Sequence, residues 1–114
     1  MDQVLITCFE PFGGRSSNAS SEAVSLLPPT VGPFELHKLC LPVAFRNAAD
    51  RAIASIDELS PAAVVCVGEA AGRTAITPEK VALNLRTARI PDNAGFQPID
   101  EPVIEGGANA LFST

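Results

Sequence analysis

The sequence predicts an α/β layered domain, and three observations carry that prediction. The short apolar runs Val4-Leu5-Ile6-Thr7 and Ala62-Ala63-Val64-Val65-Cys66-Val67 have the length and β-branched content of buried strands. They alternate with segments whose apolar residues recur every three or four positions, as on one face of a helix. Glycines come after both runs, at Gly13-Gly14 and at Gly68 and Gly72. Open α/β sheets hold their ligand sites at such carboxyl ends of strands.

Val4-Leu5-Ile6-Thr7 reads as the first, central strand, and Cys8 ends it. Pro11 and Gly13-Gly14 then break regular structure, so Phe9 and Phe12 are held on a turn. The two rings either cap the core or line an apolar pocket at the strand's carboxyl edge. Gly13-Gly14 is no phosphate loop, because no Gly-Lys-Ser/Thr follows. Asn18 or Ser20 can cap a helix over residues 22–27, which Pro28-Pro29 stops. Residues 33–42 alternate Phe34 and Leu36 against Glu35 and His37, then shift phase at Leu39. That pattern predicts a strand with a bulge or an edge crossing into the core, with His37 a solvated edge residue.

From Phe45 the apolar positions Phe45, Ala48, Ala49, Ala52, Ile53, Ile56 and Leu59 make the clearest helix, ended by Ser60-Pro61. The run at 62–67 follows as a buried strand. Val81, Leu83 and Leu85 alternate with Ala82, Asn84 and Arg86, which predicts a half-buried strand with Glu79 at its entrance. From Ile90 onward, prolines and glycines describe an irregular segment, and a chain ending at Thr114 reads as cut rather than finished.

The 114 residues are expected to make one domain at most. A hydrophobic content of 46% with 18% charged residues argues against disorder. The net charge of −5 and the lack of a Lys/Arg run argue against a nucleic-acid partner and favour a small or peptidic ligand. No apolar stretch approaches the roughly 20 residues of a membrane span, and no basic region precedes the first apolar run, so the expected location is the cytoplasm. Three cysteines without paired spacing suggest neither a disulfide framework nor a zinc site, and a single histidine excludes a multi-histidine metal centre. No metal or cofactor is expected.

Candidates for chemistry concentrate in residues 68–93. Glu79 is placed to orient a base, and Arg89 to meet a carbonyl or a developing oxyanion. Both also read as plain surface charges, with Asp92 or Glu79 as ion-pair partner for Arg89. Cys8, His37 and Glu79 supply the residue types of a complete thiol triad. Catalysis would require hydrogen-bond reach among all three, and strand cysteines are usually packing residues.

Four clustered segments then carry a resemblance: Phe9-Glu10-Pro11-Phe12-Gly13-Gly14, Val67-Gly68-Glu69-Ala70-Ala71-Gly72-Arg73, Ile76-Thr77-Pro78-Glu79-Lys80-Val81-Ala82-Leu83-Asn84, and Ala88-Arg89-Ile90-Pro91-Asp92-Asn93. In order and spacing they resemble the pyroglutamyl peptidase I family of cysteine peptidases, and the similarity continues through Gln97–Pro102 to Phe112-Ser113-Thr114. The resemblance implies a three-layer α/β/α sandwich of which these residues are the N-terminal part. It implies removal of N-terminal pyroglutamyl residues from peptides, with the nucleophilic Cys and the His lying downstream of the Phe-Ser-Thr segment. On the matching positions it implies that Phe9, Phe12, Val43 and Ile90 hold the lactam ring, Arg89 serves the oxyanion, and Glu79 is the acidic triad member.

Two departures are visible. Asn18-Ala19-Ser20 stands where the family usually has Asn-Pro-Ser, which removes a rigid helix entry but no chemistry. Glu69 stands where the family commonly has Gln. An amide both donates to and accepts from the lactam, whereas a carboxylate accepts only. Because the resemblance puts the nucleophilic Cys and the His downstream, the 114 residues alone are expected to be inactive. The alternatives are a non-catalytic family member acting as a small-ligand or interaction module, and a small nucleotide-binding α/β domain argued only from glycines after strands. A half-sandwich also exposes a sheet edge, which favours self-association.

Overall fold

The computed structural model describes residues 2–114. They divide into two compact units: one runs to Glu69 and takes in Asp92–Ala94, the other comprises Ala70–Pro91 and Gly95–Thr114.

The first unit contains β1 (Asp2–Phe9), α1 (Ala19–Ser25), β2 (Thr30–Val31), β3 (Phe34–Leu41), α2 (Phe45–Leu59) and β4 (Ala63–Cys66). The sheet order is β2-β3-β1-β4, with β1 parallel to β3 and β4, and β2 antiparallel to β3. Val4 to Cys8 are all buried, so β1 is covered on both faces. Val4, Ile6 and Cys8 on one face pack with Val24 of α1. The route from β1 to β3 and then from β3 back across β1 to β4 reverses direction. Right-handed crossovers in opposite directions put their helices on opposite faces, so α2 covers the face of Leu5 and Thr7.

Helix α1 starts three residues before the predicted span because Asn18 is its N-cap. The Asn18 carboxamide oxygen accepts from the Ser20 amide at 3.0 Å and the Ser20 hydroxyl at 2.6 Å. Leu26 and Leu27, expected inside the helix, lie beyond it and exposed. The Lys38 ammonium donates to the carbonyls of Ser25 and Leu27, satisfying groups left free at the helix end. Helix α2 matches its predicted span, but Ala49 and Ile53 of the predicted apolar set face solvent.

Three further expectations for this unit are corrected. Strand β3 pairs residue for residue with β1 over its whole length, so it has no bulge. Its broken alternation follows from partial cover on both faces. His37, expected to be a solvated edge residue, is only partly solvated: β2 pairs with β3 at Phe34 and Glu35 and does not reach it, yet the His37 Nε2 atom is buried without a hydrogen bond. The Glu35 carboxylate, 3.7 Å from it, is a charge neighbour beyond hydrogen-bond length. Strand β4, expected to be buried, is exposed throughout, with Val64 at 40% and Val65 at 47%. It is the last strand of the sheet, while α1 and α2 pack over β1 and β3.

The second unit is built on β5 (Val81–Leu83) and β6 (Ala110–Phe112), an antiparallel pair. Strand β6 falls in the segment expected to be irregular. The half-buried alternation expected after Glu79 is absent from β5, whose three residues are all exposed, and is inverted beyond it: Leu85 is exposed, while Asn84 and Arg86 are half-buried. Polar side chains are turned inward because they organise the return segment. Asn84 exchanges two 2.8 Å hydrogen bonds with the backbone of Ile104, and Arg86 Nε meets Glu101 Oε1 at 2.7 Å. Arg86 also lies over the Phe96 ring at 5.6 Å, a cation–π distance.

Asn18→Ala should lower stability by about 1–2 kcal/mol, the usual scale for a lost N-cap. Urea unfolding checks this through a reduced midpoint at unchanged slope; an unchanged midpoint would mean that the cap contributes nothing.

Candidate functional site

In the first unit, β1 runs one residue past its expected end at Cys8, so Phe9 is its last residue, paired with Leu41, and only Phe12 lies on the turn that leaves its carboxyl end. Gly13 and Gly14 have φ of 67° and 77°, left-handed conformations that side-chain-bearing residues adopt at a cost. The Phe9 amide donates to the buried Ser20 hydroxyl at 3.0 Å, and Asn18 Nδ2 donates to the Glu10 carbonyl at 3.2 Å. The α1 cap therefore also holds the turn. Both Phe rings are half-buried, as is Val43.

Glu10 connects these residues. Its Oε1 accepts from the Val43 amide at 3.2 Å and from Asn93 Nδ2 at 3.3 Å, while Asn93 Nδ2 also donates to the Pro11 carbonyl at 3.0 Å. The Asn93 amide returns a bond to the Val43 carbonyl at 2.8 Å. Asp92 completes the arrangement. Helix α2 has Ala44 at its N-cap, which offers no side-chain acceptor, and Asp92 Oδ2 accepts from the Phe45 amide at 2.9 Å instead. A carboxylate there also meets the positive end of the helix dipole. Reading the sequence missed Glu10, Asp92 and Asn93 as organising residues. Their signal was present: each is a polar residue inside a quoted motif, flanked by proline within two positions.

Glu69 is engaged within the same unit, its Oε1 lying 3.1 Å from Arg15 Nη1. The negative charge that distinguishes it from glutamine is thus offset by a guanidinium from the turn after Gly14.

The remaining sequence-predicted residues belong to the second unit. Glu79 lies two residues before β5, with its side chain 74% exposed and Oε1 3.3 Å from Arg73 Nη1. Its carbonyl accepts from the Ser113 hydroxyl at 2.5 Å. Arg89 and Ile90 are exposed. Both carboxylates considered for Arg89 are engaged elsewhere, Asp92 by the amides of Phe45 and Ala94 and Glu79 by Arg73.

A triad containing Cys8 and His37 is overturned by register. Cys8 pairs with Cys40 and His37 with Leu5, and side chains alternate between faces along a strand, so Cys8 and His37 lie on opposite faces of the sheet. Cys66, paired with Thr7, shares the His37 face, but β1 intervenes and holds the two backbones two strand spacings, roughly 10 Å, apart. With three cysteines and one histidine in the sequence, no Cys–His dyad forms within this sheet. Among the described residues, no group of three or more His, Cys, Asp or Glu side chains is placed to hold a metal ion, and no helix is long and apolar enough to cross a membrane.

Comparison with known proteins adds the following. The family model described as pyroglutamyl peptidase matches residues 2–114. A pyrrolidone-carboxylate peptidase of Streptococcus pyogenes is 46% identical over 112 residues, covering 98% of this chain and 52% of that protein. The crystal structure of Bacillus amyloliquefaciens pyroglutamyl peptidase I superimposes with a TM-score of 0.94 at 40% identity, over 99% of this chain and 55% of that one. A mutant pyrrolidone carboxyl peptidase from the hyperthermophile Pyrococcus furiosus gives 0.93 at 39% identity, over 98% and 54%. The chain spans about half the length of the curated relatives it matches.

Asp92→Ala should destabilise the protein by about 1 kcal/mol or more through loss of the α2 cap. It should also speed amide exchange at Phe45 relative to Ile56 in hydrogen-exchange measurements; equal exchange with the parent would contradict the capping role.

Proposed function

This chain belongs to the pyroglutamyl peptidase family, and we propose that it supplies the pyroglutamyl-recognition part of a thiol peptidase acting on peptides with an N-terminal pyroglutamate. The observation that carries the reading is the Phe9–Phe12 turn, tied to Val43 through the Glu10 carboxylate at the carboxyl end of a central parallel strand. Half-buried apolar side chains held on polar supports suit a small, flat, mostly apolar ring.

In this proposal Phe9, Phe12, Val43 and Ile90 contact the lactam ring, and Glu69 accepts from the lactam N–H. Arg89 meets the oxyanion. Glu79 orients and stabilises the imidazolium of a histidine that these residues do not supply, as the third member of a thiol triad does. A thiolate, also not supplied here, attacks the pyroglutamyl carbonyl, expels the peptide amine and leaves an acyl-enzyme that water hydrolyses. A cytoplasmic location and the N-terminal position of this half belong to the same proposal. The opposite-face placement of Cys8 and His37 supports the corollary that the 114 residues bind without turnover, which is also what a non-catalytic binding member would do.

Calorimetric titration with pyroglutamate amide should show binding that falls at least about tenfold in a Phe9→Ala/Phe12→Ala double variant, given roughly 1.5–3 kcal/mol for each large apolar side chain fully buried. Equal affinity would remove the two rings from the site. Thiol-dependent hydrolysis by a homogeneous 114-residue sample would overturn the division of labour. Glu69→Gln should tighten binding, because the amide donates to the lactam carbonyl that a carboxylate repels; weaker binding would show that the Arg15–Glu69 pair itself recognises the ligand.

A further inference from the structure

The pair Cys8 and Cys40 has no part in the proposed reaction. Cys8 is buried, Cys40 is exposed, and both thiols are free. They are direct partners in the parallel register of β1 and β3, so their side chains leave the same face of the sheet. Neighbouring strands lie about 4.8 Å apart, inside the roughly 4.4–6.8 Å span of Cα atoms joined by a disulfide. Burial pushes the Cys8 thiol up from its ordinary value, and the neighbouring Cys40 thiol adds to the shift. Cys8 Sγ also lies 3.8 Å from the Leu39 carbonyl, a long and weak contact that leaves the sulfur free to turn.

We propose that Cys8 and Cys40 form a paired oxidation site that closes to a disulfide across the carboxyl ends of β1 and β3 when the protein meets a peroxide. The exposed Cys40 thiolate attacks one peroxide oxygen and breaks the O–O bond, giving a Cys40 sulfenic acid and hydroxide, which takes up the proton Cys40 had released. Cys8 sulfur then attacks Cys40 sulfur, the S–O bond breaks, and the Cys8 proton leaves with the hydroxyl as water. Two thiols and one hydrogen peroxide thus become one disulfide and two waters. Cys8 stays protonated to higher pH than an ordinary thiol, so the second step should quicken as pH rises through the thiol range.

Parallel side chains on adjacent strands hold their Cβ atoms roughly 1 Å farther apart than the ~3.8 Å mean of a disulfide, so closure draws the strands together. The site lies one residue before the last rungs, where Phe9 pairs with Leu41 and the Glu10 amide donates to the Leu41 carbonyl at 3.0 Å. Closure therefore tightens the base of the Phe9–Phe12 turn. Any effect on a pyroglutamyl ligand rests on the function proposed above; the covalent bond does not.

The test treats the folded protein with hydrogen peroxide, blocks remaining thiols under denaturing conditions and maps the peptides by mass spectrometry. The expected product joins the Cys8 and Cys40 peptides with loss of two hydrogens. It should disappear in Cys40→Ser, persist in Cys66→Ser and form faster at higher pH. The proposal is overturned if Cys8 remains alkylatable while Cys40 proceeds to sulfinic acid, or if the disulfides formed join two molecules. The readout is independent of ligand binding, so failure here and failure of the pyroglutamyl reading are separable.

Discussion

Burial of β1 on both faces is the constraint on which the rest of this fold depends. A strand that must be covered twice needs two helices, and right-handed crossovers deliver them to opposite faces only if the chain moves first to one side of the strand and then to the other. That requirement orders β3, β1 and β4 and places the ends of β1 and β3 side by side. The Phe9–Phe12 turn and the start of α2 therefore leave the same edge of the sheet. The apolar residues of β1 act on the site indirectly, by making this edge the place where two chain reversals meet.

What turns that edge into a shaped site is a small set of polar side chains. Asn18 caps α1 and holds the Glu10 carbonyl; Glu10 gathers Val43 and Asn93; Asp92 caps α2 from a distance of 47 residues in sequence. Asn18, Asp92 and Asn93 have short side chains with few rotamers to lose, so they fix backbone at lower entropic cost than longer ones. Each satisfies amides or carbonyls that a loop cannot satisfy for itself. The apolar rings are thereby held on a framework that does not depend on a large core around them.

The second unit follows the same principle further. Its strands are three residues each and exposed, yet Asn84, Arg86, Gln97 and Ser113 all bond to chain distant in sequence. Pro98 is fully buried, and its carbonyl receives the Ala88 amide at 2.9 Å. Gly107 shows how close this packing is: a Cβ there would lie 3.1 Å from the Ile104 carbonyl oxygen, beside the Asn84 carboxamide.

The sequence by itself determined the strand at residues 4–7, the helix from Phe45 to Leu59, the glycine turn after Phe12 and the motifs that carry family membership. These are local properties: β-branched runs, a three-to-four residue apolar period and left-handed glycine positions act within a few residues. Tertiary structure alone decided that β4 is exposed where its composition promised burial, that Asn84 and Arg86 turn inward in place of Val81 and Leu83, and that Glu69 meets Arg15. It also put Cys8 and His37 on opposite faces, which no count of residue types reveals. The reason is physical: periodicity tells which side of an element is distinct, whereas burial, ion pairing and face assignment depend on which distant segment arrives to cover it.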